Sequence, residues 1–133
     1  MSSNYGNLGI IYTNKGDVEQ AMIYLDKGIE IDTYLGNKAG IANHTANIAI
    51  VHGKLGEFSK SKNSHLKAIQ LYRELGNREG LANEYANLGL LYQNEGNVED
   101  ANDMFNNSLN EYEYMNNDKQ VGKIRGYIRT LKE

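Results

Sequence analysis

The 133-residue chain contains no cysteine. That excludes disulfides, zinc–thiolate centres and thiol nucleophiles. Proline is absent too, so nothing forbids long helices, and glycine has to do the punctuating. No apolar run approaches the roughly 18 residues of a membrane-spanning helix. The start, Met1-Ser2-Ser3-Asn4, lacks the basic and apolar regions of a signal peptide, so the expected location is the cytoplasm and no membrane contact is expected. Positive charge is in short supply. A net charge of -3 offers no broad attraction to nucleic acid or anionic lipid, which reward clustered Lys and Arg. The one dense basic group, Lys123 to Lys132, also holds the chain end. What remains, 40% hydrophobic and 23% charged, is a soluble globular composition sized for a single domain.

A repeat organises the chain. Shifted against itself by 40 residues, Asn7 falls on Asn47 and Asn87, and Leu8-Gly9 falls on Ile48-Ala49 and Leu88-Gly89. Gly16 meets Gly56 and Gly96, Ala21 meets Ser61 and Ala101, and Ile29 meets Ile69 and Leu109. A gapless register over three units marks a stacked-repeat architecture. The units are expected at 1–37, 38–77 and 78–117, with a capping helix at 118–133.

Each unit reads as two helices. From Arg78 to Glu95, the residues Leu81, Tyr85, Leu88, Leu91 and Tyr92 follow the 3- and 4-residue steps of one helix face. Gly96 can take positive φ and end that helix, and Asn97 can cap the next. Gly16 and Asp17 do the same in the first unit, whereas Glu57 is a poorer cap in the second. The second helices, such as Val98 to Met115, end at Gly36, Gly76 and Asn116; Asn is the next-best residue for a left-handed turn. In the last helix, Asp118 to Lys132, Val121, Ile124, Ile128 and Leu131 form one apolar stripe. Lys119, Lys123, Arg125, Arg129 and Lys132 cover most of the rest, as suits a cap facing water. By register the first helix begins slightly ahead of Met1, which leaves the N-terminal end uncapped.

On these residues the chain resembles the tetratricopeptide-repeat family over nearly its whole length. The third unit shows the spacing best, Tyr85-x2-Leu88-Gly89-x2-Tyr92 and then Ala101-x3-Phe105. The first keeps Tyr5, Leu8, Gly9, Tyr12, Ala21 and Leu25. The middle unit is degenerate, with Thr45, Ile48, Ala49, His52, Ser61 and His65 at those places. Gly9, Gly89, Ala21 and Ala101 would let two helices approach closely while large residues fill the adjoining gaps. The family's common unit has about 34 residues and a late proline. This longer, proline-free unit is similar to the repeats of spindle-orientation adaptors and kinesin light chains, which carry similar Asn-Leu-Gly and Gly-Asn-Lys strings. The resemblance implies an all-α, right-handed superhelix of three helical hairpins plus a C-terminal capping helix. A concave groove would be lined by the first helix of each pair.

Carried over by register, the groove-facing positions are Asn7, Ile10 and Asn14; Asn43, Asn47, Ile50 and Lys54; and Asn83, Asn87, Leu90 and Asn94. The last helix adds Tyr127, in line with Asn47 and Asn87, and Lys123. A side-chain amide has both a donor and an acceptor, so Asn7, Asn47 and Asn87 could each satisfy the backbone of an extended peptide. Ile10, Ile50 and Leu90 would add apolar contacts. At about 0.5–1.5 kcal/mol net per hydrogen bond, three clamps with some apolar burial support roughly micromolar binding. The plainer alternatives are solvated surface, as for the many asparagines at Asn102, Asn106, Asn107 and Asn110, or an Asn87 that ties adjacent helices. Partly buried packing explains Ile10, Ile50 and Leu90 equally well. Gly6, Ala46 and Ala86 stand where some family members place a basic residue for a C-terminal carboxylate, and cannot serve that end.

Catalytic chemistry finds little support. His44, His52 and His65 all lie in the degenerate middle unit, and His52 and His65 replace large packing residues, so packing with a hydrogen-bonded edge is the expected role. No HExxH pattern accompanies them, and Gly53-Lys54-Leu55-Gly56 lacks the spacing of a phosphate loop. No metal, cofactor or enzymatic activity is expected. The expected function is a scaffold or adaptor that binds a peptide segment of another protein in its groove. The alternative is a structural self-assembly module, a homodimer through the uncapped N-terminal end.

Overall fold

The structure, a computed structural model, describes the backbone of residues 2–132 and the side chains of residues 5–132. The expected start of the first helix ahead of Met1 lies outside them. Seven helices and no strand occur among the described residues: α1 (Ser2–Asn14), α2 (Val18–Leu35), α3 (Lys38–Lys54), α4 (Phe58–Leu75), α5 (Arg78–Asn94), α6 (Val98–Tyr114) and α7 (Asp118–Leu131). None is long and apolar enough to cross a membrane.

Local chemistry sets the helix ends. Asp17, Asn37, Asn77, Asn97 and Asn117 each accept the backbone N–H of the residue three positions on, which satisfies one orphan donor of the following helix. Each turn also needs a residue at positive φ. Glycine fills that place except at Asn116, whose φ of 57° makes it the one non-glycine there among the described residues. The helices α5, α6 and α7 stop one residue short of the expected ends at Glu95, Met115 and Lys132, because those residues serve as C-caps.

The helices form two compact units, Met1–Leu75 and Gly76–Glu133. In the first, α1 pairs with α2 and α3 with α4, while α2 and α1 both pack against α3. The α1–α2 hairpin closes at Gly9, where an added Cβ would lie 2.7 Å from the Leu25 side chain. Ala21, Leu25 and Val51 are buried there, with Tyr12, Val18, Met22 and Ile48 packed around them. Tyr24 stacks between Tyr5 and Tyr12, at 6.2 and 5.4 Å between ring centroids.

A polar layer crosses this unit. The buried His44 Nε2 lies 3.1 Å from Oδ2 of the buried Asp32, in contact but not aligned as a hydrogen bond. Asn37 donates its Nδ2 to Asp32 Oδ1 at 3.2 Å while capping α3 through its own Oδ1. Glycine makes the room: a Cβ on Gly6 of α1 or Gly28 of α2 would press on the His44 ring, and one on Gly40 would overlap the Asp32 carboxylate.

In the second unit, α5 pairs with α6 and α7 packs on α6. Gly89 admits Phe105 as Gly9 admits Leu25, at 2.6 Å from the position of a Cβ. Ser108 Oγ donates to the Ala82 carbonyl at 2.8 Å, so a buried hydroxyl crosses the same hairpin satisfied. Ala101, Phe105, Tyr112, Val121 and Ile124 form the core. Burying a side chain such as Phe105 stabilises by about 1.5–3 kcal/mol. The start of α5 is fixed to the end of α6 by Arg78, which bonds Glu111 at 2.9 Å and lies 3.9 Å from the Tyr114 ring centroid.

Candidate functional site

The expected peptide-binding residues lie on the first helix of each hairpin. On α1, Asn7, Ile10 and Asn14 are exposed. On α3, Asn43, Ile50 and Lys54 are exposed and Asn47 is half-buried. These two sets share one unit, on helices that touch where Gly6 meets His44. Ile10 at 43% and Ile50 at 38% accessible are unusually open for aliphatic residues, so apolar surface is on offer beside the amides. The remaining residues belong to the other unit. Asn83 and Asn94 of α5 are exposed, and Asn87 and Leu90 are half-buried. Tyr127 of α7 is half-buried with its ring 5.4 Å from Phe105, which commits much of it to the core.

Several amides already have partners. The Tyr72 hydroxyl of α4 donates to Asn43 Oδ1, and the Tyr112 hydroxyl of α6 donates to Asn83 Oδ1. Each bond runs from the second helix of a hairpin to the first and fixes which way the amide points. Burial first, and the Glu79 carboxylate second, push the Tyr112 hydroxyl above its ordinary pKa of 10.0, so it remains a donor at neutral pH. Asn87 donates its Nδ2 to the buried Glu84 carboxylate at 3.0 Å. Asn43 and Asn83 are left with amide N–H donors, and Asn87 with its carbonyl and one N–H.

Residues 2–34 match the family model of the tetratricopeptide repeat. The first hairpin, α1–α2, thus matches a tetratricopeptide repeat. No curated protein sequence matches it. Among solved structures, the N-terminal domain of stress-induced protein-1 (STI-1) from C. elegans superposes with a TM-score of 0.75 at 21% identity, over 99% of this chain and 94% of that one. BtubC (BKLC) from P. vanneervenii gives 0.74 at 16% identity, over 98% of this chain but only 63% of that one. A putative kinesin light chain from Podosopora anserina with nearly identical TPR-like repeats gives 0.65 at 11% identity, over 98% and 74%. At these identities the likeness is one of fold: tetratricopeptide hairpins followed by a C-terminal helix.

The degenerate second repeat holds the histidines. His52 Nδ1 lies 3.1 Å from Glu57 Oε1, which also faces Lys60 at 3.0 Å through its other oxygen. Those two hydrogen bonds, His52 first, hold the Glu57 carboxyl below its ordinary 4.5 against a smaller effect of burial. Glu57 thus braces the α3–α4 turn where the other turns have a capping side chain. His65 is buried. No group of three or more metal-ligating side chains gathers among the described residues.

Sequence reasoning did not single out Asp32 as the partner of His44, nor the tyrosine–asparagine bonds. A signal existed in the register. Asp32 stands where the other repeats have Tyr72 and Tyr112, and Tyr72 and Tyr112 recur 40 residues apart, as Asn43 and Asn83 do.

Proposed function

We propose that the chain is a non-catalytic scaffold that holds an extended peptide segment of another protein against the first helix of each tetratricopeptide hairpin. The observation that carries this reading is the ladder of Asn7, Asn47 and Asn87, each followed three residues later by an accessible or half-buried aliphatic residue, Ile10, Ile50 or Leu90. Solvated asparagines have no need to recur in one register. Here the recurrence accompanies hydroxyl and carboxylate partners that orient neighbouring amides, and pre-oriented groups bind at lower entropic cost. The test begins with peptides mapped from proteins retained by the immobilised chain. Their affinity is then titrated against the wild type and the Asn47→Ala/Asn87→Ala variant. Loss of two clamps should weaken binding about tenfold; unchanged affinity would refute the clamp.

One observation favours self-assembly through the N-terminal end as the second reading. Ile11 of α1 is 46% accessible, although the residue in its register on α3, Val51, is fully buried. A monomer at all concentrations in light scattering would dismiss that reading.

A further inference from the structure

Charge is segregated within the second unit. The helix α6 carries Glu99, Asp100, Asp103, Glu111 and Glu113 and no Lys or Arg. From Asp118 to Lys132 the chain carries Lys119, Lys123, Arg125, Arg129 and Lys132 against Asp118 alone. The two helices pack together through apolar residues, Phe105 and Tyr112 on one and Val121 and Ile124 on the other. Their charged rows lie on the outside, where Glu99, Asp103 and Glu113 of α6 and Lys119, Lys123 and Arg129 of α7 are all exposed. The rows scarcely neutralise each other. Arg125 reaches Glu113 at 3.4 Å with both side chains well exposed, a weak pairing. Glu99, Asp103, Lys119 and Arg129 have no ion-pair partner among the described residues.

The same face of α7 bears Gly122 and Gly126, and a Cβ at either would meet nothing within 4 Å. No contact inside the chain asks for glycine at these helix-weakening positions. Their effect is a shallow floor flanked by cations, which lets a second helix come close.

We propose that this unit docks on a second copy of the chain about a two-fold axis, the cationic face of each α7 lying on the acidic face of the other copy's α6. Charge complementarity selects the occupant, because one chain carries both halves of the match side by side and a two-fold operation satisfies both at once. The lengths agree. Glu99, Asp103, Asn106, Asn110 and Glu113 follow steps of four and three along one strip of about 21 Å, and Lys119 to Arg129 spans about 15 Å. The contact shares only Lys123 with the groove-facing positions, and neither variant tested below changes it; it also differs from the N-terminal end, so it stands or falls apart from both readings above.

The experiment is analytical ultracentrifugation of the full chain over a wide concentration range, at low and high salt. Two variants, Lys119→Glu/Arg129→Glu and Glu99→Lys/Asp103→Lys, are run with it, their folding checked by far-UV circular dichroism. The wild type should dimerise, and more weakly by about tenfold as ionic strength rises from roughly 0.05 to 0.5 M. Each variant alone should be monomeric, since its two faces then repel their counterparts. An equimolar mixture of the two should dimerise again, because each reversed face meets a reversed mate. A monomeric wild type, a dimer indifferent to salt, or a mixture that stays monomeric would overturn the proposal. Association that persists in either variant would also overturn it, and would direct attention to the N-terminal end.

Discussion

Replacing Gly28 with alanine would normally help a helix. The change gains about 0.5–1 kcal/mol in an unencumbered interior position. At Gly28 the new Cβ would lie 2.6 Å from Nε2, 2.8 Å from Cδ2 and 2.9 Å from Cε1 of His44. The ring has little room to retreat, because Gly6 of α1 lies close against it on the Cε1–Nδ1 edge. Overpacking of this kind costs about 1–3 kcal/mol. The displaced imidazole would also press on the buried Asp32, which lies 3.1 Å away at Oδ2 and is held by Asn37. Net destabilisation of about 1–3 kcal/mol is expected. Urea unfolding gives the totals, and native-state hydrogen exchange at α2 and α3 amides localises the change to the first unit. The decisive arm is the His44→Ala background. There the steric penalty vanishes and Gly28→Ala should be neutral or favourable, a non-additivity expected of touching residues. Equal penalties in both backgrounds, or a stabilising Gly28→Ala in the wild type, would refute the packing argument.

Tyr112→Phe keeps the buried ring and removes the donor to Asn83, so it should cost about 0.5–1.5 kcal/mol in urea unfolding. Because the Tyr112 pKa is raised in the folded chain, its contribution is fully present below the unfolded value of about 10 and fades as pH rises through the folded value. The phenylalanine variant should therefore show a flatter alkaline limb of stability. Glu57 behaves in the opposite sense. Its lowered pKa gives a contribution present above the unfolded value and lost as pH falls through the folded one. Glu57→Gln should flatten the acid limb slightly and leave neither salt nor pH dependence in the α3–α4 turn from this group; an unchanged acid limb would show that the pairing contributes nothing.

Elements governed by neighbours within a few residues were legible in the sequence. Asp17 and Asn97 announce the starts of helices because a cap needs a side-chain acceptor and a donor three residues on. Gly9 with Leu25, and Gly89 with Phe105, were visible through the register because the same small-and-large exchange recurs 80 residues later. The Asp32–His44 pair was not legible. Its members lie on different hairpins, 12 residues apart, and no spacing rule joins an acid near the end of one helix to a histidine within the next. The tyrosine–asparagine bonds span 29 residues, and only the packing of a hairpin decides which hydroxyl reaches which amide. That decision alters the candidate site, since an amide that sequence reading treats as wholly free has part of its donor or acceptor capacity committed.

Those commitments bear on recognition. An extended peptide presents N–H and C=O groups in alternation, so a row of free amides would grip it without regard to direction. In the structure Asn43 and Asn83 have their carbonyls occupied by tyrosine hydroxyls, while Asn87 has an N–H occupied by Glu84. On the proposed reading, Asn43 and Asn83 are each held by a tyrosine hydroxyl with their N–H donors free for peptide carbonyls, and Asn87 retains both its carbonyl and one N–H. Tyr112 is then a positioning residue for binding as well as a core residue. The Tyr112→Phe variant separates the two roles: it should bind peptide more weakly at a temperature where circular dichroism shows it fully folded, whereas a purely structural Tyr112 would leave that affinity unchanged.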